Sequence, residues 1–562
     1  MDNSNSSQTT TETVGSVDDF DEGTMKMATV GSRRIVVIRT ASGIHALDNA
    51  CPHQGYGMAT GALDGELLTC QWHNWKFDVR DGSCVRGEEA IPCHAVAIED
   101  DQIVVSVTEP SNEEQRAALW PSLRTGMERH YVGQVARDTT RLLTADATPA
   151  EIMGDAIAFG APRNEWGVGH EMAQAADLLA WAEIRTGDEA ALPLVHGLAG
   201  ISEVSRDRPA RPVPEPDATV DFGAAIEGED VEAAMASTMA SIEAGVDVDA
   251  LRHDFIDAVS QHHLGYGHGI IYTQKAFELL DRIGWHLAPD LLPHLAASIG
   301  WSTREDVLPY MRKAMRSVEA ADLGAMAEAP GATSTGWHGT SALADELLAA
   351  TDAPIDHAVD AVVRGAGVEG LLDAVTIGAS RRLLRHDLDL EFDLDDDFGW
   401  LDITHALTMS RAVRWAWEVD PGPHTARLAL FATWLLFDSG RAERRHGVRP
   451  PTEPTDAAAD VAKAIRMKDV GGTLAWVAAA DRDTAIDALV DAALADQAGS
   501  FIVSAHVIKL AQAAAEEAVT IGSHEPLLAT ARFTAAPRLE RFVSSNVAAS
   551  LDFVRTGNPP KR

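Results

Sequence analysis

A small all-β domain followed by a large all-α helical-repeat domain is the architecture this sequence predicts, and three features predict it. Over residues 14–108, short runs of alternating or β-branched residues are separated by turn residues, the pattern of strands in a small β domain. Beyond them alanine and leucine dominate, and apolar residues recur at three-to-four spacing, the periodicity of amphipathic helices. Within that helical part, one pattern returns four times. Length agrees with more than one packing unit, since 562 residues is several times what a single hydrophobic core serves.

Taken in order, residues 1–13 are Ser, Thr, Asn and Gln without an apolar core, so they are read as a disordered tail and not as a secretory signal. The β domain, 14–108, has strands predicted at 24–30, 34–40, 44–48, 66–70, 94–98 and 103–108. Ala41-Ser42-Gly43, Asp64-Gly65 and Asp81-Gly82 supply turns between them. Glu109-Pro110-Ser111-Asn112 breaks the β texture, so 109–118 is expected as a linker and 119–556 as the helical-repeat domain. The Pro-rich acidic stretch 206–217 and the acidic run 387–397 are expected as loops or insertions.

Composition excludes several functions. Against 85 acidic residues stand 46 basic ones, a net charge of −39, and that field repels phosphate backbones, so nucleic acid is not an expected partner. No run approaches the ~18–20 uninterrupted apolar residues of a membrane span, and a cytoplasmic location is expected. Four cysteines in so long a chain are too few for a disulfide framework, so their spacing is read for ligands.

That spacing carries the strongest chemical signal. Cys51-Pro52-His53 is followed, after a gap, by Cys70-Gln71-Trp72-His73. Two thiols and two imidazoles so placed could hold a tetrahedral zinc. A Cys-x-His pair and a Cys-x-x-His pair on two loops of a small β domain also form the Rieske pattern, and residues 14–108 resemble the Rieske ferredoxin family. Cys-Pro-His-Gln-Gly at 51–55, Gly65 in the intervening hairpin and Phe77-Asp78 after the second pair support the likeness. The resemblance implies a [2Fe-2S] cluster with Cys51 and Cys70 on one iron, His53 and His73 on the other, fed by a reductase or ferredoxin. Replacing two thiolates with neutral imidazoles raises the potential relative to all-Cys clusters. The high-potential respiratory type adds a disulfide and a Ser and Tyr that donate hydrogen bonds to the cluster. The matching positions here are Tyr56, Trp72, Trp75 and Phe77, which predicts a low-potential centre. Cys84 and Cys93 are expected as small buried hydrophobes.

In the helical part, Asp-Ala pairs begin at Asp155, Asp257, Asp373 and Asp491. Each is followed by a turn or loop and then a helix expected to open on a small or polar residue and a histidine: His170, His268, His405 and His506. The histidines and aspartates could converge on a central cavity as catalytic groups or as ligands of a second metal. Equally, each Asp could cap or pair across one recurring helix junction, which makes the repeat a scaffold. Among the four, His268 is the foremost candidate, because His262, His263 and Tyr266 crowd its junction and Gly265, Gly267 and Gly269 permit close backbone approach. The segments HHLGYGH, THALTMSRAV and AHVIKLAQ resemble the questin oxidase-like helical family. The usual mononuclear-iron signature of Rieske oxygenases is absent: His263 and His268 are suitably spaced, but Asp254 and Asp257 are misplaced for it.

The functional expectation is therefore an iron–sulfur oxidoreductase passing single electrons to the helical domain for oxygen-dependent chemistry on a small organic substrate. The alternative is an electron carrier or redox sensor whose helical domain is an interaction scaffold.

Overall fold

The computed structural model describes residues 7–392, 399–495 and 499–538, together with 547, 550, 551, 554 and 555. The chain divides into two compact units, Met1–Ile152 with Thr186–Ala191, and Met153–Arg185 with Leu192–Arg562.

The first unit holds ten strands among its described residues: β1 (Gln8–Ser16), β2 (Thr24–Val30), β3 (Arg33–Thr40), β4 (Gly43–Asp48), β5 (Ala62–Asp64), β6 (Leu67–Thr69), β7 (Lys76–Asp78), β8 (Cys84–Arg86), β9 (Cys93–Glu99) and β10 (Gln102–Glu109). They form a six-stranded sheet in the order β1-β10-β9-β4-β3-β2 and a four-stranded meander, β5-β6-β7-β8. The run Ile35-Val36-Val37-Ile38 on β3 is buried on both faces, which is why it reads as continuous rather than alternating. Ile35 and Val37 join Ala46, Ile103 and Val105 in one core. Val36 and Ile38 join Leu47, Leu68 and Phe77 in the other, and there Cys51 and Cys70 are packed.

The structure corrects the expected boundaries. The tail is shorter than 1–13, because β1 begins at Gln8 and pairs with β10 along its whole length. Its threonines are exposed yet β-branched, and Thr9 and Thr11 hydrogen-bond across to Thr108 and Ser106 at 2.9 and 2.8 Å. Most of the 109–118 linker is helix: α1 (Asn112–Glu128) starts from a capping box in which Ser111 and Glu114 bond each other's backbone N–H. With α2 (Val132–Thr144), it belongs to the first unit, so helix and domain do not begin at the same residue. Cys84, on the short edge strand β8, is half-buried against the core, and Cys93, the first residue of β9, is exposed, so neither is the buried hydrophobe expected. The Cys93 thiol still turns inward, 4.0 Å from the Val79 carbonyl, and burial pushes it up to about 11.

The second unit is all helical among its described residues. Four helices make its centre: His170–Glu183, His268–Ile283, Trp400–Val419 and Phe501–Ile521. Each packs on the next and the last returns to the first, closing a four-helix ring. They are buried on nearly every side, which suits their apolar composition. Their buried charges are paired: Lys275 meets Asp177 at 2.8 Å, and Arg414 meets Glu517 at 2.9 Å and Asp373 at 2.8 Å. Two helices begin earlier than expected, at Trp400 and Phe501, which sets His405 and His506 in the second turn. Stretch 206–217 is irregular, and 387–397 opens with a short 3-10 helix at Leu388–Phe392, with 393–398 outside the described residues. Among the described residues, no helix is long and apolar enough to cross a membrane.

Candidate functional site

Two side-chain clusters, one in each unit, gather the ligand-type residues that the sequence singles out. In the first unit, the loops after β4 and β6 share one backbone design. The Cys51 N–H donates to the Tyr56 carbonyl at 2.8 Å, and the Gly55 N–H returns to the Cys51 carbonyl at 2.7 Å. The Cys70 N–H donates to the Trp75 carbonyl at 2.8 Å, and the Asn74 N–H returns to Cys70 at 3.2 Å. Gly55 and Asn74, at the same place in each loop, both take positive φ, +75° and +61°. The two loops thus present a Cys followed by a His from matching turns.

The Cys51 and Cys70 thiols are buried side by side, and burial together with Cys70 pushes the Cys51 thiol up to about 12. The backbone N–H groups of His53 and Gln54 point to Cys51 and act the opposite way. His53 Nδ1 and His73 Nδ1 lie 3.0 Å apart. His53 is held between the rings of Trp75 and Tyr131, at 4.7 and 5.3 Å between centroids. Its carbonyl accepts from Arg137 at 3.1 Å, and Arg137 is itself paired with Glu89 and Asp138. Burial, His73 and Arg137 together lower its pKa. His73 is exposed, and beside it Trp72 stacks on Tyr56 with 57% of its surface open. Two soft thiols and two imidazole Nδ1 atoms, converging from two loops with their rings braced, fit the ligand demand of a [2Fe-2S] cluster.

In the second unit the four histidines of the repeat meet. His268 Nε2 lies 3.2 Å from His170 Nε2 and 3.0 Å from His405 Nε2, and His405 Nε2 lies 3.3 Å from His506 Nε2. The His170 and His506 rings close the circle at 4.8 Å between centroids. His506 donates Nδ1–H to the Ile502 carbonyl at 2.7 Å, so its Nε2 faces the centre as a lone pair. Tyr272 O sits 2.8 Å from His170 Nδ1. Burial, then nearby Lys509 and, for His170, His405 and His506, the neighbouring histidines lower these imidazoles and hold them neutral, His268 being pushed down to about 3 by burial and Lys509.

Local sequence explains this geometry. Gly265, Tyr266 and Gly267 take positive φ in succession, turning the chain sharply into His268. A Cβ on Gly267 would meet Met409 Sδ at 2.7 Å, so glycine is what lets this turn lie against the His405 helix. The four aspartates of the repeat stay outside the cluster. Asp373 pairs with Arg414, Asp257 accepts from Gln261 at 3.0 Å, Asp491 is exposed beside Arg185, and Asp155 is half-buried. A cavity of about 380 Å³ reaches the cluster, walled by His170, His268, Glu171, Tyr272, Trp166 and Trp301 among others, and none of these aspartates lines it.

Sequence reasoning missed four residues of these sites, Lys509, Tyr272, Tyr131 and Arg137; Glu171 stands next to His170 in sequence and reads there as a ligand-type neighbour. Lys509 is fully buried, its Nζ has no hydrogen-bond partner, and burial pushes its amine down to about 7. Glu171 is buried too, accepts from Asn164 and from the Gly169 N–H at 3.0 Å, and has its pKa raised by burial. Helical spacing could have found Lys509 and Tyr272, which follow His506 and His268 by three and four residues. Nothing in the spacing points to Tyr131 and Arg137 beside His53.

The Rieske [2Fe-2S] domain model matches residues 10–99. The ferredoxin component of the alkene monooxygenase system of Xanthobacter autotrophicus is 30% identical over 107 residues, covering 18% of this chain and 86% of that protein. The ferredoxin component of the naphthalene 1,2-dioxygenase/salicylate 5-hydroxylase systems of a Ralstonia species is 29% identical over 93 residues, 16% of this chain and 89% of that protein. The oxygenase component of the 3-ketosteroid-9-alpha-monooxygenase of Rhodococcus rhodochrous is 32% identical over 80 residues, 14% of this chain and 20% of that protein. The matched ferredoxins are spanned almost whole, the oxygenase by about a fifth of its length. With the Cys-His loops falling inside the matched residues, this chain belongs through its first unit to the Rieske [2Fe-2S] family and is built for the one-electron transfer of that cluster.

Proposed function

We propose that this chain is an oxidoreductase with two metal centres: a [2Fe-2S] cluster held by Cys51, Cys70, His53 and His73, and a metal ion, iron by preference, held by His170, His268, His405 and His506. Electrons from a reductase or ferredoxin would be used at the second centre for oxygen-dependent chemistry on a small organic substrate. The observation that carries this reading is the set of Nε2 separations, 3.0 to 3.3 Å along His170, His268, His405 and His506, with the His506 and His170 rings 4.8 Å apart. Metal–nitrogen bonds of ~2.0–2.1 Å put neighbouring ligand atoms about 3 Å apart, so one ion would fit among these Nε2 atoms. Imidazole ligands suit iron, copper and zinc, and only the first two carry electrons.

When bound, the cluster supplies electrons one at a time. The protein's own share is placement. Trp75 and Tyr131 fix the His53 ring, while exposed His73 and Trp72 offer the face on which a donor docks. In the second unit, Tyr272 fixes the His170 ring by accepting Nδ1–H, which leaves Nε2 free to bind. The cavity admits a substrate against His170 and His268, with the half-open Trp166 and Trp301 rings as apolar surface at its mouth.

Ferredoxins spanned at 86% and 89% of their length favour a second reading, an electron carrier with a helical scaffold. Iron counting with EPR separates the two. Wild type is expected to hold iron beyond the two atoms of the cluster, and His405→Ala to lose only that excess with its Rieske signal intact. Wild type with two irons, and no iron lost in His405→Ala, overturns the two-centre reading. Cys51→Ser should lose the Rieske signal, and its retention would refute the cluster ligands.

A further inference from the structure

Away from the central ring, a third group of ligand-type side chains lies at the surface of the second unit. His253 sits on the helix Val248–Ser260, Asp420 ends the Trp400–Val419 helix, and His424 is in the first turn of Pro423–Asp438. We infer that His253, Asp420 and His424 form a site for a divalent transition-metal ion that ties these three helices together.

The geometry is specific. His253 Nδ1 lies 2.7 Å, and His424 Nε2 2.8 Å, from the same oxygen, Asp420 Oδ2. The two rings stand at 78°, 5.1 Å apart, so their nitrogens approach that oxygen from different directions. One candidate ligand atom from each residue lies within 4.8 Å of the others. A tetrahedral ion bound at ~2.0–2.2 Å needs ligand atoms separated by about 3.3 Å. Each nitrogen–oxygen distance must then open by roughly half an ångström, with the ion replacing both N–H protons. His253 has the freedom to do this, its side chain being 53% exposed, and its exposure leaves the fourth position to water.

The turn that presents the other two ligands is rigid. Thr425 Oγ1 donates to the Asp420 carbonyl at 3.1 Å and accepts the Gly422 N–H at 2.9 Å. Two imidazoles and one carboxylate suit zinc and its neighbours, whereas calcium and magnesium prefer sets of oxygens alone. Asp254 and Asp257 stand near His253 and add negative potential. The site shares no residue with the four-histidine ring, but Asp420 belongs to the end of the helix that carries His405. An ion here would brace that helix from its far end.

The test uses cluster-loaded full-length protein, equimolar Zn²⁺, melting temperature, and zinc retained after desalting. Wild type is expected to melt higher with Zn²⁺ and to retain one zinc more than His424→Ala. His253→Gln, a change at an exposed position that leaves the fold in place, should lose the same response. His405→Ala, which disables the central ring, should keep it, so the two sites are told apart. A Zn²⁺ response unchanged in His253→Gln and His424→Ala, or absent from wild type, overturns the inference.

Discussion

The Cys-His loops and the histidine ring gather ligands over opposite sequence distances. In the first unit, two loops each carry a Cys and a His two or three residues apart, and the same pair of backbone hydrogen bonds shapes both. In the second, four helices each give one histidine, and the packing of the ring brings them together. A loop site depends on turn geometry, so local backbone strain is its weak point. A bundle site depends on how closely helices approach, so its weak point is a position where packing leaves no room.

Paired glycine substitutions sharpen that contrast and give the largest expected effect. Gly267 has φ +85°, and an added Cβ would sit 2.7 Å from Met409 Sδ and 2.9 Å from Met409 Cγ. Gly267→Ala must therefore bear the left-handed strain and a steric clash together, costing about 2–4 kcal/mol, and should displace His268 from the ring. Gly55 has φ +75°, but nothing lies within 4 Å of its added Cβ. Gly55→Ala should cost only the strain, ~1–2 kcal/mol. Urea denaturation followed by far-UV absorption of helix, alongside the visible band of the cluster, checks both. Equal losses in the two variants would show that packing at the ring is not the tighter constraint.

How far the sequence could be read follows the same division. Cys51-Pro-His53 and Cys70-Gln-Trp-His73 are legible because each ligand pair is local, and β2, β3, β4, β6, β9 and β10 because each is an alternating or β-branched run bounded by turn residues. The strands Ala62–Asp64, Lys76–Asp78 and Cys84–Arg86 are too short to show a period, and β1 was hidden by its threonines, which read as polar tail. The four histidines were legible only because the pattern around them repeats. Their aspartate companions, equally regular in sequence, turn out to serve helix surfaces and ion pairs, since recurrence marks a shared fold whether or not it marks a site. Tyr131 and Arg137 were not legible at all, because their contact with His53 depends on where α2 packs.

A smaller effect tests the polar side of the ring. Lys509 is buried, its Nζ has no hydrogen bond, and its amine is held at about 7 against an ordinary 10.5, chiefly by burial. Between those two values, the unfolded chain keeps a proton on Lys509 that the native chain has released. Stability of the helical unit therefore gains from this group as pH rises from about 7 towards 10.5, by up to ~1.4 kcal/mol per pH unit. Lys509→Met removes the titrating amine while keeping its length, so the gain should vanish, and near pH 7 the variant should be as stable as wild type or more so. Denaturant titrations at several pH values measure the slope. A slope unchanged in Lys509→Met would mean that the native lysine keeps its proton.

The smallest effect is expected at the cluster, where the same logic of charge beside ligands acts at one remove. Trp75 and Phe77 stand where hydroxyl donors would stabilise the reduced state, so the midpoint should lie towards the low end of the ~−150 to +300 mV range of Rieske centres. Arg137 is the nearest compensating group, since its guanidinium donates to the His53 carbonyl at 3.1 Å. Adding an electron to the cluster is favoured by that positive charge, and removing the charge must lower the potential. The shift stays small because Glu89 and Asp138 already neutralise much of the guanidinium, at 2.7 and 3.1 Å. A few tens of millivolts is the scale for one charge acting through a partly solvated medium at such a range. Redox titration of Arg137→Gln should show that fall, whereas Arg141→Gln, farther out and 44% exposed, should leave the midpoint in place. An equal fall in both would mean that net charge alone sets the potential. A rise in Arg137→Gln would mean that its hold on the His53 loop, rather than its charge, is what reaches the cluster.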